Sequence, residues 1–432
     1  MNKTLSIIIP ITIVLILNLF AANAQVLSDP KDIVGHWEGW LQATKSKLEI
    51  KTDFRAVNDN LVGTIDIPTQ MVKRAPLTKI TSHAGKIHFE LTLGGTNVAF
   101  DGIIVANKIS GNYKQDDFKG AFELVSKPAP EESGYTSILD TPTGKLYGTL
   151  ELPDKGEVFP VVLLIAGSGP TDRDGNNRMV PGNCDNLKMI SDSLVKRGYA
   201  VLRYDKRGIG ESMSAMQSEF DVIFDDYVND AANWIAKLRA DSRFSKVAVL
   251  GHSEGALIAM LAAQKANVDA ALLVSGTARS LDEIMIDQMN TNAPPEIIEE
   301  AKHIIKELKA GRKVDSVGPE ILILFRPSIQ PFMMSIFKVV PTVEIVKLKI
   351  PTMIIQGKHD LQVPTEEAEM LAKAKPDAKK VLVESMNHVL KIAPSDPESN
   401  FQAYADPNLP LAQGFVDAVS KFLDENMKKK KK

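Results

Sequence analysis

Val247-Ala248-Val249-Leu250-Gly251-His252-Ser253-Glu254-Gly255-Ala256-Leu257-Ile258-Ala259-Met260-Leu261-Ala262-Ala263 reads as a buried strand, a sharp turn and a helix. The four apolar residues before Gly251 suit a strand covered on both faces, and the Ala-rich run after Gly255 suits a packed helix. A serine hydroxyl is a poor nucleophile unless a base takes its proton. It must also project beyond the sheet edge, which a strained strand-to-helix turn achieves. Glycines two residues to either side fit this role, because side chains there would collide with the adjoining strand and helix. Ser253 is therefore the candidate nucleophile.

The same alternation surrounds this turn. Strands are expected at 145–152, 160–165, 200–204, 246–250, 270–274, 352–355 and 380–383, with helices at about 184–196, 221–240, 254–265, 366–374 and 411–427. Apolar strands separated by helices imply an α/β domain: a doubly wound, mostly parallel sheet whose reactive edge lies at the C-terminal ends of the strands. An insertion at about 278–349 carries a helical stripe of Ile297, Ile298, Ala301, Ile304, Ile305 and Leu308 that stops at Gly311. It continues through Phe325, Phe332, Met333, Met334 and Phe337. This segment reads as a helical cap whose Met and Phe side chains form an adaptable apolar wall over the active edge.

The first part of the chain is different. From 32 to 127, short segments of period-two alternation are separated by turn residues such as Asn58-Asp59-Asn60 and Gly94-Gly95. An antiparallel all-β domain is expected, with some eight strands closing into a small barrel. Gly35-His36-Trp37 resembles the start of lipocalin-like barrels, and His36, His83 and His88 read as surface or satisfied core residues. Residues 128–134 form a Pro-rich linker. Residues 1–24 combine Lys3, an apolar run from Leu5 to Phe20 and Ala22-Asn23-Ala24, the pattern of a signal peptide cleaved after Ala24. Export to the periplasm or the extracellular space is expected, with no membrane association after cleavage. The lysines at 428–432 read as a solvated tail.

At 432 residues and 44% hydrophobic content the chain can bury the cores of two domains. A net charge of -3 gives no reason to expect nucleic acid, and Cys184, the single cysteine, precludes an intramolecular disulfide.

Elimination finds the base. Three of the seven histidines lie in the β domain, His252 is expected to point away inside the turn, His303 sits among charges, and His359 adjoins the candidate acid. His388, just past the last expected strand, remains on the edge that carries Ser253. Asp360, in the loop after 352–355, is placed to hold that imidazole in one tautomer. Its nearest rival, Glu384, is expected to remain within the last strand.

The order Ser253, Asp360, His388 is that of the α/β-hydrolases, and residues from about 135 to 427 resemble that superfamily. They are similar, more narrowly, to bacterial secreted carboxylesterases and relatives with a serine-aminopeptidase-type hydrolase domain. Three further stretches carry the resemblance: Ala166-Gly167-Ser168-Gly169-Pro170-Thr171-Asp172-Arg173-Asp174-Gly175-Asn176, Asp205-Lys206-Arg207-Gly208-Ile209-Gly210-Glu211-Ser212, and the 357–364 loop. The resemblance implies an oxyanion hole formed by the backbone N–H of Ser168, or of Gly169, with that of Glu254. Ala166 stands where many relatives have histidine. In 205–212, Arg207 is expected to form an internal ion pair.

No cofactor is expected. No Gly-Lys-Ser/Thr follows the Gly-rich loop, so it is not a phosphate loop, and Asp172-x-Asp174-Gly175 lacks the remaining ligands of a calcium site. No metal is expected either. The implied activity is that of a serine hydrolase cleaving small-molecule carboxylic esters through an acyl-enzyme. The alternatives are a peptidase using the same triad and a non-catalytic binding protein working through the β domain.

Overall fold

The computed structural model describes residues 33–428, except 45, 58–59, 71, 94–95, 129–133, 178 and 181. The expected leader, residues 129–133 of the linker, residues 429–432 of the tail, and Asn58, Asp59, Gly94 and Gly95 lie outside the described residues.

Eight strands pair antiparallel in chain order: β1 (Gly35–Gln42), β2 (Lys47–Val57), β3 (Asn60–Ile67), β4 (Val72–His83), β5 (Lys86–Leu93), β6 (Thr96–Val105), β7 (Lys108–Gln115) and β8 (Phe118–Lys127). β8 returns to β1 and closes a barrel. The period-two pattern dictates the inside: along β6, Val98, Phe100 and Ile104 are buried while Asn97, Asp101 and Ile103 are exposed. Aromatic rings fill the centre. Phe89 stacks on Phe100 at 4.5 Å between centroids, and Phe122 meets Phe100 edge-on at 5.3 Å. Where β1 and β7 end, a depression of about 230 Å³ remains, smaller than ordinary small-molecule pockets.

The second sheet has the order β16-β15-β14-β13-β11-β12-β10-β9. Its elements follow the chain as β9 (Tyr135–Thr141), β10 (Gly144–Glu151), β11 (Phe159–Ile165), α1 (Asn186–Val195), β12 (Ala200–Tyr204), α2 (Phe224–Ala240), β13 (Phe244–His252), α3 (Glu254–Lys265) and β14 (Ala270–Val274). The insertion then supplies α4 (Leu281–Asn292), α5 (Pro295–Lys309), α6 (Leu322–Phe325), α7 (Gln330–Ile336) and α8 (Pro341–Ile345). β15 (Thr352–Gly357), α9 (Thr365–Ala374), β16 (Lys379–Val383), α10 (Pro397–Gln402) and α11 (Phe415–Met427) complete the domain. β9 and β10 are antiparallel to their neighbours and the other pairings are parallel. The doubly wound, mostly parallel α/β fold read from the sequence is present, preceded by the antiparallel barrel.

Both faces of the sheet are covered, which is why its strands read as continuous apolar runs. Val161, Leu163, Val247 and Val249 pack with α2 and α3, whereas Val162, Leu164, Ala248 and Leu250 pack with α1 and α11. The chain leaves β11 for β12 on one side and returns to β13 on the other, so the loops after β11 and β13 diverge and leave a crevice between them.

Three local expectations change. β9 has a weak alternation and was not expected, but it pairs with β10 along its whole length. The last helix begins at Phe415 rather than 411, because Gly414 adopts a left-handed conformation (φ 82°) and Leu411 is bridged to Lys391. Within the insertion, Phe325, Met333 and Phe337 are core residues packed toward α2 and α3, not a substrate wall. The helical stripe itself does bury Ile298, Ala301, Ile304, Ile305 and Leu308.

The barrel is tied to the second domain through charge. Arg55 of β2 lies 3.1 Å from Glu211, and Glu211 lies 2.7 Å from the buried Arg173, which also holds Asp205 at 2.6 Å. Arg173 follows the Gly-rich loop after β11, so the barrel touches the network that anchors that loop.

Candidate active site

Ser253 joins β13 to α3 with φ 55° and ψ -122°, a strained conformation for a residue with a side chain, costing about 1–3 kcal/mol. The surroundings enforce it. A Cβ on Gly251 would come within 1.9 Å of Gly255 O, and one on Gly255 within 2.3 Å of Ile165 O. The Ser253 N–H donates to Val274 O at 2.9 Å.

His388, in the loop after β16, has its Nε2 3.2 Å from Ser253 Oγ and its Nδ1 2.9 Å from Asp360 Oδ2. Asp360 follows β15. Its Oδ1 accepts the N–H groups of Gln362 and Val363, both at 2.9 Å, and its Oδ2 also accepts Gln356 Nε2 at 2.9 Å. Burial by itself would push this carboxyl up. The adjacent His388 charge and the hydrogen bonds from His388, Val363 and Gln362 outweigh it and hold Asp360 below the usual carboxylate range. Glu384, the rival acid, lies just beyond β16 and turns to solvent, paired with Lys358 at 2.6 Å.

His252 does not point away from the site as expected. Its ring lies 5.0 Å from that of His388, and its Nε2 donates to the His388 carbonyl at 2.7 Å, fixing the backbone of His388. Burial, and then the His388 charge, push its pKa down to about 3 from 6.5. Between these values the unfolded chain binds a proton that the folded chain does not. Stability therefore falls on acidification from pH 6.5 toward 3, by up to about 1.4 kcal/mol per pH unit. In urea unfolding, His252→Gln should show a flatter decline than wild type across this window. Parallel declines would remove His252 from the account.

The Gly-rich loop after β11 approaches Ser253 from the other side, with Gly167 against the serine Cβ. The Ser168 carbonyl is held by Thr171 Oγ1 at 2.7 Å and the Gly167 carbonyl by Lys206 Nζ at 2.5 Å. Glu254 is the first residue of α3, so its N–H has no acceptor within the helix. Gly167, whose chain continues into Ser168 and Gly169, and Glu254, next in the chain after Ser253, thus lie on either side of Ser253.

A cavity of about 750 Å³ adjoins this site through Glu254 and is lined by Gly169, Lys206, Met216, Val222, Leu322, Ile323, Ile329 and Phe332 among others. The insertion does cover the active edge, but of its Phe and Met residues only Phe332 lines this cavity. Arg207 is bonded to Asp230 through two nitrogens, at 2.6 and 2.7 Å. Asp172 caps its own loop, accepting the Asp174 and Asn176 N–H groups at 2.9 Å. Among the described residues no cluster of three or more His, Cys, Asp or Glu has metal-binding geometry.

Sequence reasoning missed three residues at this site. Gln356 is the next-to-last residue of the buried strand β15, Lys206 follows Asp205 in the loop after β12, and His252 is expected to point away. A polar residue near the C-terminal end of a buried strand was the available signal for Gln356.

The family model described as serine aminopeptidase, S33, matches residues 182–390. Esterase EstD of Thermotoga maritima is 29% identical over 294 residues, a stretch that spans 66% of this chain and 66% of that protein. Among solved structures, Est1E from Butyrivibrio proteoclasticus is 17% identical with a TM-score of 0.43, covering 68% of this chain and 97% of its own. The α/β hydrolase GrgF from Penicillium is 17% identical with a TM-score of 0.46, covering 68% and 98%. The family match over residues 182–390, the sheet order and the strained strand-to-helix serine agree with one another, and this part of the chain is similar to the α/β-hydrolases.

Proposed function

We propose that this protein is an exported carboxylesterase working through an acyl-enzyme on Ser253. The observation that carries the reading is the continuous hydrogen-bonded relay from Asp360 through His388 to Ser253, next to an apolar cavity. His388 Nε2 takes the hydroxyl proton as Ser253 Oγ attacks the ester carbonyl carbon, and the carbonyl π electrons move onto oxygen. The N–H groups of Glu254 and of Ser168 or Gly169 hold that oxyanion. Collapse expels the alcohol, which leaves with the proton from His388. Water then repeats the sequence and releases the acid. No cofactor takes part. The leader-like residues 1–24 support export, tested by sequencing the mature N-terminus, which should begin at Gln25.

The rival is a peptidase of aminopeptidase or acylaminoacyl-peptidase type, and the first of these needs a carboxylate for the substrate amine. The two carboxylates among the described residues lining the cavity are committed: Glu219 to Arg326 and Ser328, and Glu254 to Lys206. The name of EstD also favours ester chemistry. The filled barrel interior gives no support to the binding-protein alternative. In a panel of p-nitrophenyl esters, kcat/KM should rise from acetyl toward hexanoyl by up to about fourfold per methylene, each buried CH₂ contributing about 0.8 kcal/mol. Aminoacyl p-nitroanilides should be turned over far more slowly. Efficient anilide cleavage with feeble ester turnover would replace the esterase reading with the peptidase one.

A further inference from the structure

Lys206 lines the cavity, 2% exposed, and the chemistry above gives it no task. Its ammonium donates to Gly167 O at 2.5 Å and to Glu254 Oε1 at 3.1 Å, and sits 5.2 Å from the centre of the Tyr227 ring. Gly167 O and the Ser168 N–H belong to one planar trans peptide, so they point in opposite directions. Fixing the oxygen fixes the N–H. The same bond draws electron density toward the carbonyl oxygen and makes the amide N–H a stronger donor. Glu254, the other partner, carries a proposed oxyanion donor on its own backbone. One buried cation thus bridges the loop after β11 and the first residue of α3, the two segments that must keep a set spacing around a developing negative charge.

We propose that Lys206 is a positioning residue of the oxyanion hole: by tying the Gly167–Ser168 peptide to Glu254, it presets the two backbone donors for the tetrahedral intermediate. This rests on the serine-esterase reading. Removing an oxyanion donor costs on the order of 10²–10³ in rate, and loosening one should cost less.

The test uses full-length protein. In Lys206→Met, kcat for p-nitrophenyl butyrate should fall about 10- to 100-fold with KM within about threefold of wild type. Binding of an alkyl trifluoromethyl ketone, whose adduct with Ser253 places an oxyanion in the hole, should weaken by the same factor as kcat. Binding of the matching secondary alcohol, which forms no oxyanion, should stay unchanged. If Lys206→Met does not fold, Glu254→Leu cuts one arm of the clamp and should show the same pattern, with a kcat loss of about three- to tenfold. Unchanged kcat, a rise in KM alone, or a kcat loss without a parallel loss of ketone affinity would overturn the proposal. Ser253→Ala run alongside separates the two claims. Its retaining activity removes the esterase reading itself, whereas Ser253-dependent turnover that ignores Lys206 removes only the clamp.

Discussion

On the proposed acyl-enzyme mechanism, Ser253→Ala should lower kcat/KM for a p-nitrophenyl ester by on the order of 10⁵-fold, because the Ser253 hydroxyl is the group that would carry the acyl bond. The stability of the variant should match wild type closely. The lost hydroxyl has His388 Nε2 as its side-chain partner, and alanine inherits the same backbone strain at φ 55° that serine bears. A large rate loss with an unchanged urea midpoint is therefore the expected pair of results. A comparable loss of stability would mean that the serine is there to hold the turn together.

Asp360→Asn should cost about 10⁴-fold in kcat at neutral pH. The carboxylate now accepts hydrogen bonds on both oxygens, two from backbone N–H groups, one from Gln356 and one from His388. An amide can accept on one side only. If its oxygen keeps the Gln362 and Val363 N–H groups, its NH₂ faces Gln356 and His388 Nδ1. The imidazole then presents a lone pair to the amide and carries its proton on Nε2, toward Ser253, where it cannot act as a base. Steady-state kinetics from pH 6 to 9 check this, and a loss under tenfold would show that Asp360 does not set the tautomer.

The parts of the site legible in the sequence were those with a local cause. The strand, turn and helix around Ser253 are contiguous, and the glycines at 251 and 255 announce close approach. His388 and Asp360 follow from chain order once the strands ending at 355 and 383 are seen, because a parallel sheet brings successive strand ends to one edge. What could not be read depends on contacts between distant segments. Lys206, in the loop after β12, reaches Gly167 in the loop after β11, and Gln356 serves Asp360 only because the loop folds back on its strand. His252 looked irrelevant because its partner is a backbone carbonyl, which leaves no mark in a sequence. In the insertion, composition reported apolar residues but not their facing. The large Phe325, Met333 and Phe337 went to the core, and Leu322, Ile323 and Ile329 were left for the cavity.

The barrel shows the same division. Its alternation and turns were plain in the sequence. Its attachment through Arg55 to Glu211, and from there to Arg173 beside the Gly-rich loop after β11, joins residues far apart in the chain. That contact makes the barrel a neighbour of the active site's supporting network as well as an appended module.

The central claim is that Ser253 is a nucleophile activated by His388. Its most direct measurement is treatment of the folded protein with a fluorophosphonate probe, followed by digestion and mass spectrometry of the adduct. One equivalent on the peptide containing Ser253, absent from Ser253→Ala and strongly slowed in a His388→Ala variant, is the predicted result. Labelling at another residue, or labelling of Ser253 that proceeds equally fast without His388, would contradict it.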